Sequence, residues 1–226
     1  HTDGVHTFGS IGSKETLSSG DAFDCDVNGD GTYDENTERF YYVTDMDDST
    51  AVLIYYNNVS NGKPRNNTKY AYDASRENFH GPRTAIEQLP STSEWRNVSL
   101  KNSTRAILNE NGGNTTNGVT LPSNFSYAGY SARLLTVQEI NKACGITAGH
   151  FIERELDTCN YFMENTNYSN DGNYGYWLEN ARSVDSAYAW SVDGSSHRYL
   201  GSNAAYNYYD YGVRPAIEVP KSNIEY

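Results

Sequence analysis

The run ERFYYVTDMDDSTAVLIYYNNV, residues 38–59, constrains the fold more than any other stretch. Phe40 and Tyr42 alternate with Arg39 and Tyr41, acidic turn residues follow at 45–48, and Ala51 to Tyr56 returns as an apolar run. Alternation, a polar turn and a β-branched return predict a hairpin. No helical period runs long enough for a bundle, and no repeat of about 20–50 residues is present. GPRTAIEQLP predicts a short helix over Arg83 to Leu89, stopped before Pro90. LTVQEINKACG predicts a better one: Thr136 and Glu139 form a capping box, Val137, Ile140 and Ala143 share a face, and Gly145 closes it. Residues 57–69 and 109–126, rich in Asn, Gly and Thr, read as exposed loops. Near the C-terminus, Val213, Ile217 and Val219 point to one side of a strand, and Pro215 implies an edge, a bulge or a strand start. The expected class is α+β, with short antiparallel strands, few short helices and long irregular loops.

Composition narrows the partners. A chain of 226 residues is long enough for one substantial domain. Its formal charge of −12 argues against nucleic acid and anionic lipid, which need clustered Lys and Arg. Twenty tyrosines stand against seven phenylalanines. Tyrosine covers a core with its ring and still offers a hydroxyl, so it suits surfaces that bind. No apolar run is long enough for a transmembrane helix. The chain opens at His1 without a Met, so an upstream segment is expected, with room for an export signal and an anchoring helix.

Catalytic signatures are missing. The histidines at 1, 6, 80, 150 and 197 form no HExxH, and no GxSxG, P-loop or GxGxxG occurs. His80 and His150 read as ordinary loop residues. The cysteines at 25, 144 and 159 have no zinc spacing. Cys144 and Cys159 would either close a short loop as a disulfide, worth roughly 3 kcal/mol, or remain thiols. Cys25 is left over in both cases.

DCDVNGDGTYDE is the sharpest local motif. Asp24, Asp26, Asn28, Gly29 and Glu35 fit the oxygen-ligand spacing of a calcium loop, and a second register starting at Asp26 uses Asn28, Asp30, Gly31 and Asp34. Five carboxylates within twelve residues repel one another unless a cation or solvent screens them. A strand follows rather than a helix, so this is no EF-hand. The expected cofactor is a structural Ca2+ held by Asp24, Asp26, Asn28, Asp30, Asp34 and Glu35; the plainer alternative is a solvated acidic turn.

At YGYWLENA, AYAWSVDG and DYGVRPAIEVP the chain resembles the C-terminal half of a C-type-lectin fold domain. More closely, it is similar to the variable proteins of diversity-generating retroelements and their relatives in bacterial surface and pilin-like proteins. SARLLTVQEI fits the helix such domains carry upstream, and the resemblance spans about 130–220. It implies a C-type-lectin-like ligand-binding domain over 39–226, preceded by an N-terminal segment, 1–38, with the candidate calcium loop, the whole forming one unit. It further implies binding without chemistry: Trp177, Leu178, Trp190, Val192 and Gly212 to Ile217 as scaffold, and the polar aromatics between them as a binding face.

The retroelement mechanism mutates adenines, mostly in Asn codons of AAC type, which can become Tyr, Asp, Ser, His, Arg, Gly, Ala and others but not Lys, Glu, Gln, Met or Trp. From Arg182 to Tyr211 there is no Lys, Glu, Gln or Met, and the one Trp is a scaffold position. The expected face is Tyr188, Tyr199, Asn203, Tyr206, Asn207, Tyr208, Tyr209 and Asp210, with Arg182, Asp185 and His197 at its margin. The calcium-dependent sugar signature of true lectins is missing, and nothing after Cys159 could serve as the cysteines of formylglycine-generating enzymes. The resemblance therefore implies a non-enzymatic module at the cell surface or outside the cell. Its partner would be a protein or glycan on another cell or phage surface. The alternative is an adhesin, pilin-like or carbohydrate-binding subunit without programmed diversity.

Overall fold

The computed structural model describes residues 17–65, 69–146, 155–163, 175–194, 198–206 and 211–224, and the backbone of 5–7. Its strands are β1 (Val5–Thr7), β2 (Ala22–Cys25), β3 (Arg39–Asp45), β4 (Thr50–Tyr55), β5 (Val59–Ser60), β6 (Lys63–Pro64), β7 (Thr104–Arg105), β8 (Thr115–Thr116), β9 (Val119–Thr120), β10 (Phe125–Ser126), β11 (Gly175–Ala181), β12 (Tyr188–Asp193), β13 (Tyr199–Ala204), β14 (Tyr211–Gly212) and β15 (Ala216–Pro220). The helices are α1 (Arg83–Ile86) and α2 (Val137–Cys144), with short 3-10 turns at Asp157–Phe162 and Lys221–Asn223. The protein is thus mostly β, with few short helices.

Two sheets carry the structure. One has five antiparallel strands in the order β1-β2-β3-β4-β15, and the other has four in the order β13-β12-β11-β14, with β14 parallel to β11. The expected hairpin is β3–β4. All six residues of β4 are buried, because alternate side chains enter two different clusters. Ala51, Leu53 and Tyr55 join Phe40, Trp95, Tyr72 and Trp177, while Val52 and Ile54 join Ile140, Phe162, Trp190 and Val192. A strand covered on both faces needs a continuous apolar run, which is what β4 supplies. β11 behaves likewise, sending Trp177 into the first cluster and Tyr176 and Leu178 into the second.

Helix α2 follows the sequence closely. Glu139 N–H donates to Thr136 Oγ1 at 3.1 Å and Thr136 N–H donates to Glu139 Oε2 at 2.8 Å, completing the capping box. Gly145 closes the helix at φ 66°, a left-handed conformation that favours glycine. Cys144 and Cys159 form a disulfide, tying α2 to the 3-10 turn at Asp157–Phe162. Cys25 is a buried thiol whose pKa is pushed up by burial, then by Asp24 and Glu38. One helix and one loop expectation need correction. The predicted helix over 83–89 is helical only to Ile86. Asn57, Asn58 and Val59 are buried rather than exposed, because Val59 N–H donates to the Val213 carbonyl and seats the segment beside the C-terminal chain.

Two arginines lie fully inside. Arg133 donates through Nε to Glu218 Oε1 at 2.7 Å and through Nη1 and Nη2 to Glu139 at 3.0 and 2.5 Å, with Leu134 O accepting from Nη1 at 3.0 Å. Glu218 lies on β15 and Glu139 caps α2, so one guanidinium joins helix to sheet. Arg214 donates to the carbonyls of Tyr55, Phe162 and Tyr161 at 2.6, 2.7 and 3.0 Å and lies over the Tyr176 ring. A guanidinium cannot shed its charge, so burying it requires this full set of acceptors.

Burial acts to raise the Glu139 pKa, but the Arg133 charge and hydrogen bonds outweigh it and hold the carboxyl below its usual range. A depressed carboxyl contributes stability that is present above its unfolded pKa and is lost as pH falls through the folded one. Glu179, which pairs with Arg105 at 2.8 Å, shifts the other way because burial wins there, so its contribution fades as pH rises. Removing Arg133 strands two carboxylates. Arg133→Met should therefore cost about 3–5 kcal/mol at neutral pH. In urea melts the gap to wild type should narrow as pH falls through and below the usual carboxylate range, as Glu139 becomes neutral.

Candidate ligand-binding face and acidic loop

The scaffold assignments sit where the sequence placed them. Trp177, Leu178 and Val192 are 0% exposed and Trp190 is 1% exposed, and residues 211–217 are all buried. Both indole N–H groups are satisfied, Trp177 by the Tyr70 carbonyl at 2.6 Å and Trp190 by Glu110 Oε2 at 3.1 Å. Among the expected face residues that are described, none is buried. Arg182, Asp185, Tyr188, Tyr199 and Asn203 are half-buried, and Tyr206 is 43% exposed. His197, Asn207, Tyr208, Tyr209 and Asp210 lie outside the described residues.

The register divides the face. Tyr188 opposes Ala204 and Asp193 opposes Tyr199, so β12 and β13 run the full length of each other. Tyr188 and Asn203 both lie near the end of the sheet where 182–187 joins β11 to β12, but on opposite faces, since Tyr188 opposes Ala204 and Asn203 opposes Ala189 while side chains alternate along each strand. Tyr199 begins β13 five residues before Ala204, about 17 Å away along the strand. Its ring covers Gly201, where an added Cβ would come within 2.9 Å of it. Asn203 Nδ2 donates to the Tyr211 hydroxyl at 3.3 Å, linking the C-terminal end of β13 to β14.

Three residues that the sequence reading missed contact the 182–188 segment and Tyr206. Asn78 is 0% exposed, and its Nδ2 donates to the carbonyls of Tyr188 and Asp185 at 2.7 and 3.0 Å, while its N–H donates to the Ser186 carbonyl at 2.7 Å. Glu110 receives the Ser183 N–H at 2.8 Å and the Ser183 hydroxyl. Arg76, exposed and at φ 74°, places its guanidinium 5.0 Å from the Tyr206 ring, as Arg182 does over Tyr188 at 5.5 Å. A non-glycine residue in that conformation is strained, by about 1–3 kcal/mol. No sequence pattern marks these three, since each acts across about 70–130 residues of chain. Beside them, Phe79, His80, Arg83, Ile86, Pro122 and Phe125 line a cavity of about 330 Å³, with His80 Nδ1 at 2.8 Å from Asp73.

The acidic loop divides as well. Asp24 and Glu35 both pair with Arg39, at 2.5 and 3.4 Å. Asp26 accepts from the N–H groups of Asp30 and Gly31, both at 3.0 Å, and Asn28 Oδ1 accepts from Asp30 N–H at 2.7 Å. Asp30 accepts from Thr32, and Asp34 from Asn36 and Thr37. Among the described residues, no three His, Cys, Asp or Glu side chains are grouped so as to hold a metal ion. No helix among them is long and apolar enough to cross a membrane.

Set against known family models, curated proteins and solved structures, the chain matches none.

The loop clamp gives a direct check. Asn78→Ala removes the side-chain donor shared by the Tyr188 and Asp185 carbonyls, which keep only the backbone N–H groups of Arg182 and Tyr188 at 3.2 Å, and should cost about 1–3 kcal/mol. Amide exchange should speed up in 182–188 while β4 stays protected, which comparative hydrogen exchange would read.

Proposed function

We propose that this chain is a ligand-binding module of C-type-lectin-like fold, displayed outside the cell, whose Tyr/Asn/Ser/Asp face is diversified by a retroelement. One observation carries the reading. From Arg182 to Tyr211 the residue types that adenine mutagenesis cannot reach are absent apart from Trp190, which is buried, and the accessible positions among the described residues carry types it can reach. A face that varies must not be needed for folding. In support, the described face residues are half-buried or exposed, whereas the interleaved framework is buried.

The side chains also suit recognition. Tyrosine offers a large amphipathic surface with few rotatable bonds, so it loses little entropy on binding, and Asn, Ser and Asp supply adaptable hydrogen bonds. Arg76 and Arg182, each over a tyrosine ring, hold two of these rings in place and bring positive charge to a chain that is otherwise strongly acidic. The partner that fits is a protein or glycan on another cell or on a phage.

The test is the DNA beside the gene. The reading expects a reverse-transcriptase gene and a near-identical copy of the segment encoding about 182–211, differing mainly at adenines of the copy. A flanking region without either would leave a fixed adhesin or pilin-like subunit as the better description.

A further inference from the structure

The turn from Asp73 to Arg83 orients two side chains that the fold itself does not use. Asp73 is fully buried; it accepts the Ser75 N–H at 2.9 Å, stands 2.8 Å from His80 Nδ1, and has the Arg83 guanidinium 4.0 Å away. Burial acts against its charge, but the hydrogen bonds from Ser75 and His80 outweigh it and hold the carboxyl below its usual range. An ionised carboxylate only accepts, so Nδ1 carries the shared proton and the neutral ring keeps Nε2 as an acceptor. Among the described residues nothing hydrogen-bonds to Nε2 or to the Arg83 guanidinium, whose side chain is 63% exposed.

Both side chains line the cavity of about 330 Å³ together with Phe79, Ile86, Pro122 and Phe125. Its walls are held from several sides. Gly81, at φ 69°, lets the backbone lie against the Phe125 ring, where an added Cβ would come within 2.8 Å. Phe125 also meets Tyr127 edge-on at 5.2 Å and pairs with Arg105 across β10 and β7. Phe79 and Phe125 pack on the buried Ile107, Leu121 and Ala181, and Thr84 Oγ1 closes the turn by accepting the Ala74 N–H at 2.9 Å. A ligand entering here would therefore meet side chains that are already ordered.

We propose that this cavity binds the C-terminal residue of a peptide that ends in an aromatic side chain. The ring packs on Phe79 and Phe125. The terminal carboxylate pairs with Arg83, whose planar fork matches two carboxylate oxygens. The amide N–H beside that carboxylate donates to His80 Nε2. Charge selects this end of a peptide, because Arg83 calls for an anion and the Asp73 carboxylate is already engaged beneath it. The volume lies at the small end of ligand pockets, which suits one residue. None of the lining residues falls within 182–211, so the site does not rest on diversification of that face.

The experiment is calorimetric titration of the full chain with N-acetyl-phenylalanine, with N-acetyl-phenylalaninamide and glucuronate as comparison ligands. The acid should bind at least about tenfold more tightly than the amide, the ratio expected for one charge-assisted contact. Arg83→Gln, at an exposed position, should fold normally and bind acid and amide alike. Lys101→Gln, which removes an equal charge elsewhere, should keep the preference for the acid. Equal wild-type affinity for acid and amide, an acid preference that survives Arg83→Gln, tighter binding of glucuronate, or no heat at ten millimolar ligand would each overturn the proposal.

Discussion

The guanidinium of Arg133 is the interaction on which the rest of the structure depends. It cannot be neutralised, it has no access to water, and its partners lie on a helix cap and on the last strand. Burying such a charge is favourable only when each carboxylate is held in place by something else. Glu139 is held by the capping box of α2, and Glu218 by β15 and by the Lys101 N–H at 2.7 Å. Helix cap, ion pair and strand register therefore support one another, and a slip of β15 by one residue would turn Glu218 away from Arg133. Arg214 plays the matching part a few residues earlier, joining the end of β4, the disulfide-linked turn and β11 through backbone carbonyls and the Tyr176 ring. Between them the two arginines fix the C-terminal strand on both sides.

That fixed strand explains how polar aromatic residues can abut the core. Tyr206 is exposed, and Tyr211, the next described residue, is buried. From there, Val213, Ile217 and Val219 enter one cluster and Ala216 the other, while the strand pairs with β4 along Ala216–Pro220. Nothing in this arrangement draws on Tyr188 or Tyr206 for burial. Neither residue belongs to either buried cluster.

Short-range patterns were legible in the sequence and long-range ones were not. The hairpin could be read from alternation around Phe40 and Tyr42, and α2 from Thr136, Glu139 and Gly145, because these signals act within a few residues. Val213, Ile217 and Val219 were legible for the same reason, and Pro215 does mark the start of β15. Asn57 to Val59 misled because buried asparagines look like loop asparagines until their backbone partners, such as Val213, are known. Asn78, Glu110 and Arg76 were invisible because their partners lie far along the chain. The acidic loop was found by its spacing, but Arg39 decides which of its carboxylates remain uncommitted, and only the β2–β3 pairing brings Arg39 opposite Asp24.

The central claim is that framework and face are energetically separate. Urea melts of a matched set test it most directly: Tyr188→Ser, Asn203→Ser and Tyr206→Ser singly and together, against Trp177→Ala and Ile217→Ala. The account predicts losses within about 0.5 kcal/mol for the most exposed substitution, Tyr206→Ser, and at most about 1–2 kcal/mol for each half-buried one. The two core truncations should each cost about 2–5 kcal/mol, because each leaves a cavity in a packed interior. A combined face variant that unfolds as readily as Trp177→Ala would show that the tyrosines are core, and would contradict the account.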